Sequence, residues 1–213
     1  MIKSIIFQYV TDEEIKEIEK LQCFRTKNYK KNEIIFYMGD LTKETGIVIS
    51  GSVNIENIDL WGNKIILNNI STGQLFAETY ALCNEPMMVQ AVSNENSEIL
   101  FLNIATLTDS RFSDKTWYKK ILLNITKIAA QKNLSLSNRI FCTSSKTIRG
   151  RLSAYLSYMS VKNKSTTFQI PFNRQQLADY LNLDRSALSK ELGKMQKEGL
   201  LEFYKNSFKL KNI

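Results

Sequence analysis

The chain has 213 residues, of which 43% are hydrophobic, so it can bury the core of one large domain or of two small ones. It has no run of about 18 apolar residues, which excludes a membrane-spanning helix, and its first residues lack the shape of a signal peptide, so a cytoplasmic location is expected. Histidine is absent, which removes the usual general base, the usual haem ligand and the commonest zinc ligand. We therefore expect no enzyme, no metal site and no cofactor.

The cysteines give no sign of a disulfide framework. Cys23, Cys83 and Cys142 are far apart, form no Cys-x-x-Cys pair and would leave one thiol over. Reduced thiols, each a small buried apolar side chain, are therefore expected.

The net charge of +8 lies entirely in the last third of the chain. Residues 1–142 hold 16 basic and 16 acidic side chains, whereas residues 143–213 hold 13 basic and 5 acidic ones. A lysine-rich surface without function would spread its charge along the whole chain. A basic module on a neutral body instead indicates a polyanionic partner, and nucleic acid is favoured.

The amino-terminal half reads as one short helix followed by many short strands. Thr11 and Glu14 have capping-box spacing at the start of an amphipathic helix over 11–22. From about 27 to 108, β-branched runs such as EIIFYMG and SVNIENI are separated by turns at MGD, ISGS, DLWGNK and STGQ. This pattern predicts a small antiparallel barrel or roll.

Residues 114–142 predict one long helix. They contain no Gly or Pro, and their apolar residues recur at three- and four-residue spacings. One face can pack on the roll; the rest is either solvated or forms a seam with a second copy. Lys132 interrupts the heptad, so the spacing alone leaves both possibilities open.

The last 70 residues read as a winged helix-turn-helix. A helix over about 145–160 and the short strand FQIP precede a helix that starts at Asn173, with Gln176 three residues later. Asp184 caps the second helix, Gly199 ends it, and LLEFYKNSFKL forms a hairpin that turns at 205–207. Helix, helix-turn-helix and hairpin in this order are typical of a DNA-binding module.

Read end to end, the chain resembles the cyclic-AMP receptor protein and fumarate–nitrate regulator (Crp/Fnr) superfamily of bacterial transcription factors. The resemblance rests on YKKNEIIFYMGD, GIVISGSVNI, DLWGNK and STGQLFAE, and on RQQLADYLNLDRSALSKELGKMQKEGLLE near the carboxyl end. Asn32 stands where the family usually has glycine.

The resemblance implies an α+β fold in three parts: an antiparallel, cyclic-nucleotide-binding-like β-roll sensor domain over 1–110, a long dimerisation helix over 111–143 and a winged helix-turn-helix DNA-binding domain over 144–213. It implies a homodimer that binds a palindromic operator in double-stranded DNA, with RNA polymerase as a further partner. The residues expected where the two long helices pair are Ile121, Leu122, Ile125, Ile128, Ala129 and Leu136.

The helix over 184–198 is expected to read bases in the major groove, and its first turns present Arg185, Ser186, Ser189 and Lys190. Arg185 can grip guanine with two donors, and Lys190 can do so more loosely. The residues expected to contact phosphates are Arg174, Gln175, Lys194 and Lys205.

One position departs from the family pattern. Members that read TGTGA or TTGAT half-sites carry a glutamate directly after this arginine, and here that position is Ser186. The resemblance therefore does not give the operator sequence.

The sensor pocket also departs from the pattern of the cyclic-nucleotide-binding members. In those members a Gly-Glu pair holds the ribose and a later Arg-Ser pair holds the phosphate. Here Glu78 keeps the acid, Ala77 stands in the glycine position, and Met87 and Met88 stand near the place of the Arg-Ser pair. No Lys or Arg lies between Lys64 and Arg111, and burying a cyclic phosphate without a cation costs several kcal/mol. An effector other than cyclic AMP is therefore expected.

An iron–sulfur sensor is excluded, because three scattered cysteines cannot hold such a cluster. Three modes of control stay open. A small apolar or uncharged effector could contact Met87, Met88 and the long helix, although core filling is the favoured interpretation of both methionines. Oxidation of Cys83, near the pocket formed with Glu78, is the second mode. The third is a regulator that acts without any effector.

Two alternatives to a regulator are disfavoured. An enzyme or ligand-binding protein that uses the roll has little support, because the chain has no histidine, no phosphate loop and no paired-carboxylate spacing. A scaffold whose winged helix binds protein is disfavoured by the charge of +8 in residues 143–213.

Overall fold

The computed structural model describes residues 4–58, 61 and 64–211. The chain divides into two compact units, Met1–Ala130 and Gln131–Ile213, and the division falls inside one helix. The helices are α1 Asp12–Glu19, α2 Glu78–Cys83, α3 Ile104–Leu107, α4 Thr116–Thr143, α5 Ile148–Asn163, α6 Arg174–Tyr180 and α7 Arg185–Lys197. Short 3-10 turns cover Ile5–Phe7 and Ser110–Phe112.

The strands of the first unit are β1 Phe24–Tyr29, β2 Ile34–Phe36, β3 Glu44–Ser50, β4 Ser52–Ile58, β5 Lys64–Ser71, β6 Leu75–Phe76, β7 Gln90–Ser93 and β8 Ser97–Asn103. They form two four-stranded antiparallel sheets, with orders β1-β8-β3-β6 and β2-β7-β4-β5. Gly51 makes the tight β3–β4 turn at φ +81°, where only glycine avoids strain. The predicted antiparallel roll is therefore confirmed, while the predicted turn over 59–64 lies largely outside the described residues.

The two sheets enclose an apolar core made from alternate strand residues. It contains Tyr29, Phe36, Val48, Val53, Phe76, Met87, Ile99 and Phe101, with edge-to-face ring pairs at its centre. A second cluster packs α1 and the first half of α4 on the outside of the roll.

The start of α4 is fastened to α1. The predicted capping box is present, since Thr11 and Glu14 bond each other's backbone N–H, and the Glu14 carboxylate also accepts hydrogen bonds from Thr116 and Lys120. Further along α4, Trp117 and Ile121 are buried in the second cluster. About one turn after Ile121, Asn124 is buried and donates to the carbonyls of Ile6 and Gln8, at 2.9 and 2.8 Å.

The second unit is a helical module closed by a three-stranded sheet, with β9 Thr167–Gln169, β10 Leu201–Tyr204 and β11 Ser207–Leu210 in the order β10-β11-β9. The predicted caps are confirmed at Asn173 with Gln176 and at Asp184, and Gly199 follows α7 at φ +74°. The core is formed by Leu152, Tyr155, Leu156, Leu177, Leu188, Leu192 and Phe208, together with Cys142 from the end of α4.

Two of the three cysteines follow the expectation of burial. Cys23 and Cys142 are buried, whereas Cys83 is exposed, so the expectation is wrong for Cys83. The reason is that α2 has six residues and buries only Glu78 and Ala81, which leaves its last residue on the outer side. Within the described ranges no helix has the length and apolarity needed to cross a bilayer.

The backbone of β3 passes directly under the Phe76 ring at Gly46, where a Cβ atom would overlap the ring. Because Phe76 is locked in the core, we expect Gly46→Ala to lower the free energy of unfolding by about 1–3 kcal/mol. Gly193→Ala is the matched control: it lies inside α7 with nothing within 4 Å of an added Cβ, and it should leave stability unchanged or raise it by up to about 1 kcal/mol. Urea unfolding measures both, and wild-type stability of Gly46→Ala would contradict the packing described here.

Candidate functional site

The amino end of α7 is built on the carboxylate of Asp184. This group accepts the backbone N–H of Ala187 at 2.8 Å and the hydroxyl of Ser186, which fixes the first turn of the helix. These hydrogen bonds, the one from Ser186 foremost, lower the pKa of Asp184. The carboxylate therefore stays ionised as a cap, and the residues that follow it are held in place.

Two basic side chains project from this turn without a partner among the described residues. Arg185 and Lys190 are exposed and form no ion pair or side-chain hydrogen bond within the described parts of the chain. The two serines are partly engaged: Ser186 with Asp184, and Ser189 with the carbonyl of Arg185 at 2.9 Å. All four predicted base-reading residues thus lie on the first two turns of α7, with the two cations free for a ligand.

The acidic side chains of residues 143–213 are each engaged inside the module. Arg149 holds Glu191 and Glu198 at 2.6–2.8 Å, and its own pKa is raised by Glu198 and Glu191. The other acids are Asp179, which accepts from Gln175, Asp184, which caps α7, and Glu202, which pairs with Lys211. Consequently the carboxylates do not neutralise Arg185 or Lys190, and the surface around α7 stays positive.

Arg174 is more embedded than the sequence indicated. Its guanidinium donates to the carbonyl of Lys205 at 3.0 Å and lies 5.0 Å from the Phe203 ring centroid, so it ties α6 to the hairpin. Burial lowers the pKa of Arg174. The side chain is half-buried, so this residue has a structural contact in addition to any phosphate contact.

The other three residues predicted to contact phosphate differ in whether their side chains already have partners within the protein. Gln175 bonds Asp179 at 2.8 Å on its own helix. Lys194 is exposed and only 3.8 Å from Glu191, and Lys205 lies at the tip of the hairpin over the Tyr204 ring. Tyr204 is itself 74% exposed, so the hairpin tip carries an aromatic side chain as well as a cation.

The turn between α6 and α7 is held by two arginines that sequence reasoning missed. Arg151 on α5 donates to the carbonyl of Ser145 and, in the turn itself, to the carbonyls of Leu181 and Asn182 at 3.0 and 2.8 Å. Arg139 on α4 donates to the carbonyl of Tyr180 at 3.3 Å. These carbonyls end a helix and have no intrahelical partner, so the guanidinium donors replace the missing hydrogen bonds. The available signal was a positive charge next to Leu152 on the apolar face of α5.

A cavity of about 170 Å³ lies in the first unit between α2 and α4. Its walls are Leu75, Glu78, Thr79, Leu82, Cys83, Ile125, Ile128 and Ala129. Glu78 is buried and Cys83 exposed, so two of the four predicted pocket residues contribute to it.

Met87 and Met88, the other two predicted pocket residues, do not line this cavity. Met87 is buried in the core of the roll, and Met88 is 65% exposed. The predicted ligand contact through this pair is therefore corrected: one methionine fills the core and the other faces solvent. Ala77, in the glycine position, has φ +64°, a left-handed conformation that glycine adopts without strain and alanine does not.

The six residues predicted for helix pairing separate into three pairs by burial. Ile121 and Ile128 are buried within their own unit, because they continue the face that begins at Trp117. Leu122 and Ile125 are half-buried, whereas Ala129 and Leu136 are exposed. The first pair is therefore unavailable to a second copy, and any seam uses other positions.

The thiols and the acids add no further site. Burial raises the pKa of Cys23 to about 11 and raises the pKa of Cys142, which leaves both thiols protonated and unreactive at neutral pH. In the part of the chain that the structure describes, no three Cys, Asp or Glu side chains cluster as metal ligands would.

A sensor-type β-roll, a long helix and a winged helix-turn-helix with free cations on its second helix define a class: DNA-binding regulators with a separate sensor domain. Residues 26–110 match the family model for the cyclic nucleotide-binding domain, and residues 150–213 match the model for the Crp-like helix-turn-helix domain. The chain belongs to the Crp/Fnr superfamily of transcription regulators, a family of DNA-binding proteins rather than of enzymes.

Individual relatives agree with this assignment. The cyclic AMP receptor protein of Thermus thermophilus is 33% identical over 82 residues, 38% of each chain, so the matched part spans well under two thirds of that relative. The crystal structure of the Thermus thermophilus catabolite activator protein has a TM-score of 0.51 at 22% identity, covering 98% of this chain and 94% of that one. The structure titled "OCPA complexed CprK" has a TM-score of 0.67 at 15% identity, covering 92% and 91%. At these identities the solved structures establish the α+β fold alone.

Removing the Arg151 guanidinium should loosen the α6–α7 turn. Arg151→Met leaves the carbonyls of Leu181 and Asn182 without their donors, and we expect the free energy of unfolding to fall by about 1–3 kcal/mol. Hydrogen–deuterium exchange measures the effect: backbone amides of residues 177–188 should exchange faster in Arg151→Met than in the wild type.

Arg149→Met is the matched control on the same helix. Its partners are carboxylates at the surface of the module, so it should change exchange in 177–188 much less. Equal exchange in both variants would contradict the assigned role of Arg151.

Proposed function

We propose that the protein is a Crp/Fnr-type transcription regulator that binds palindromic operator DNA as a homodimer and responds to an effector other than cyclic AMP. The observation that carries this proposal is the unpaired state of Arg185 and Lys190 on α7 within the described residues, while the acids around them are engaged elsewhere. The positive charge of such a helix is attracted to DNA phosphates, and the basic side chains near its amino end can contact base edges in the major groove.

The roles within the interface follow from how each side chain is held. Arg185 has free donors and a fixed helix turn below it, so it is assigned to a guanine edge, with Lys190 beside it. The hydroxyls of Ser186 and Ser189 each donate a hydrogen bond within the protein, so these residues discriminate less between bases. Lys194 and Lys205 are assigned to phosphates, together with Arg174 and Gln175 at the start of α6.

Dimerisation is proposed through a stripe on α4 that differs from the one expected from the sequence. Leu123, Leu134 and Phe141 are 54%, 64% and 62% exposed, and Ala130 is exposed too. Their spacings of seven, four and seven residues place them on one side of the helix, opposite Ile121 and Ile128, as in a short coiled coil. A twofold pair of α7 helices then reads two half-sites about one DNA turn apart, which makes the operator palindromic.

The effector assignment rests on the chemistry of the cavity. No lysine or arginine lines it, so nothing there compensates a cyclic phosphate. A contact with RNA polymerase and a cytoplasmic location, which the resemblance and the sequence indicated, stay predictions.

A thiol-responsive regulator is the second candidate, favoured by the exposed Cys83 in the cavity wall. Selecting bound sequences from a random DNA pool, with and without oxidant, returns the half-site and separates the two modes. A selection that oxidant leaves unchanged removes the thiol-responsive candidate and leaves regulation by a ligand or regulation without an effector.

Arg185→Ala should remove operator preference while leaving salt-dependent binding to random DNA. Losing a bidentate contact costs about 1–3 kcal/mol of discrimination per half-site. Fluorescence anisotropy on operator and random fragments at two salt concentrations gives both quantities.

Lys194→Ala is the matched comparison, since a lost phosphate contact weakens binding to both fragments equally and lowers the salt slope by about one. Unchanged operator preference in Arg185→Ala would refute the base contact, and no binding of the wild type to any DNA at low salt would refute the proposed function.

Leu134→Lys should convert the dimer into a monomer, because it places a charge in the middle of the exposed stripe. Ser135→Lys, one residue further and about a third of a turn away, adds the same charge outside the stripe and should stay dimeric. Sedimentation velocity distinguishes the two, and a dimeric Leu134→Lys would exclude this seam.

A further inference from the structure

We infer that the cavity between α2 and α4 binds an uncharged apolar molecule about the size of a single benzene ring. This assignment rests on the proposed function, since it names the class of effector for that regulator. It agrees with the expectation drawn from the sequence in using the long helix α4, Glu78 and Cys83, and differs in that Met87 and Met88 do not line the cavity.

The volume of the cavity accommodates one small ring. It measures about 170 Å³, and a space of about 150 Å³ is enough to hold benzene. One side of the cavity is open to solvent, since Thr79, Leu82, Cys83 and Ala129 in its walls are exposed.

The composition of the walls is the second argument. Leu75 and Leu82 face Ile125, Ile128 and Ala129 of α4, and these side chains offer only hydrocarbon surface. Apolar surface of this kind favours a ligand that leaves water without losing hydrogen bonds.

Charge is the third argument. The acid in the wall is Glu78, which is 5% exposed, and the eight residues that line the cavity include no lysine or arginine. The lining therefore offers an anionic ligand no cation to compensate the ligand's own charge, and removing that charge from water costs several kcal/mol. Thr79 and Cys83 supply weak polar groups at the rim, enough for a neutral ligand.

The position of the site on α4 gives it a path to regulation. Ile125 and Ala129 lie on the same continuous helix whose later residues include Arg139, bonded to the carbonyl of Tyr180, and the buried Cys142. A ligand that changes the packing of α4 in the roll therefore acts on the helix whose end is part of the DNA-binding module.

The test uses the full chain with fluorobenzene as the probe, detected by fluorine NMR. We expect saturable binding with a Kd of about 1 mM or tighter, which is within reach for a ligand of this size. Neither 4-fluorobenzoate nor cyclic AMP should bind, because each carries a negative charge. Absence of fluorobenzene binding to the folded wild-type protein, or equal binding of 4-fluorobenzoate, would overturn the assignment.

Filling variants locate the site. Ala129→Phe inserts a ring from the α4 wall and should weaken fluorobenzene binding at least about tenfold, a change of about 1.4 kcal/mol. Thr126→Phe adds the same ring on an exposed position of α4 that does not line the cavity, and it should bind as the wild type does. Cys83→Phe fills the cavity from the opposite wall and should match Ala129→Phe. Wild-type affinity in both filling variants would place the probe elsewhere and refute the site.

A second readout separates this inference from the proposed function. DNA affinity is measured by anisotropy with and without fluorobenzene, in the wild type and in Ala129→Phe. A shift in the wild type alone supports the effector role, whereas binding of the probe without any shift refutes that role and leaves the DNA-binding function intact. Absence of DNA binding by the wild type both with and without fluorobenzene refutes the proposed function, whatever the NMR shows.

Discussion

The rest of the structure depends on how the 28 residues of α4 are divided among different neighbours. One face, with Trp117, Ile121, Asn124 and Ile128, covers the roll and fixes the amino-terminal segment through the Asn124 amide. An adjacent strip closes the cavity under α2, and the last turns enter the module core through Cys142. An ideal helix offers about 3.6 residues per turn, so these contacts leave one side uncovered. That uncovered side carries the exposed apolar side chains of Leu123, Leu134 and Phe141.

The DNA-facing surface depends on neutralisation inside the module as much as on its cations. Arg149 occupies Glu191 and Glu198, and Lys211 occupies Glu202, so acids that lie near the reading helix do not compete for Arg185. Exposed ion pairs of this kind contribute little stability, and their value here lies in which charges they leave free. Arg151 has a different role, since its donors satisfy carbonyls that the end of α6 leaves open. The positive surface and the rigid turn are thus produced by different arginines on one helix.

Elements with a local signal could be predicted from the sequence, and contacts that depend on distant partners could not. Thr11, Asn173 and Asp184 cap their helices as predicted, because a cap is decided within four residues. Whether Met87 and Cys83 are buried or exposed depends instead on how the segments around α2 and β7 pack on the roll, which no local sequence pattern encodes. The spacing on α4 left its partner open for the same reason: the roll buries Ile121 and Ile128, which the resemblance assigned to helix pairing, and a periodic pattern does not say which partner buries it. The residues predicted to read bases lie on the first turns of α7, because the cap at Asp184 fixes where that helix starts.

The departures in the sensor domain fit together physically. Ala77 has a left-handed backbone that costs a residue with a Cβ about 1–2 kcal/mol, so α2 starts from a strained turn that glycine would relieve. This strained turn leads directly into α2, whose residues Glu78, Thr79, Leu82 and Cys83 line the cavity. Because coupling between two binding events is reciprocal, a ligand that raises operator affinity by a given factor is itself bound more tightly by that factor when DNA is present. A ligand that binds only one of two states shifts their balance by at most a factor of one plus the ratio of its concentration to its Kd. An effector of modest affinity therefore acts only at concentrations near or above that Kd.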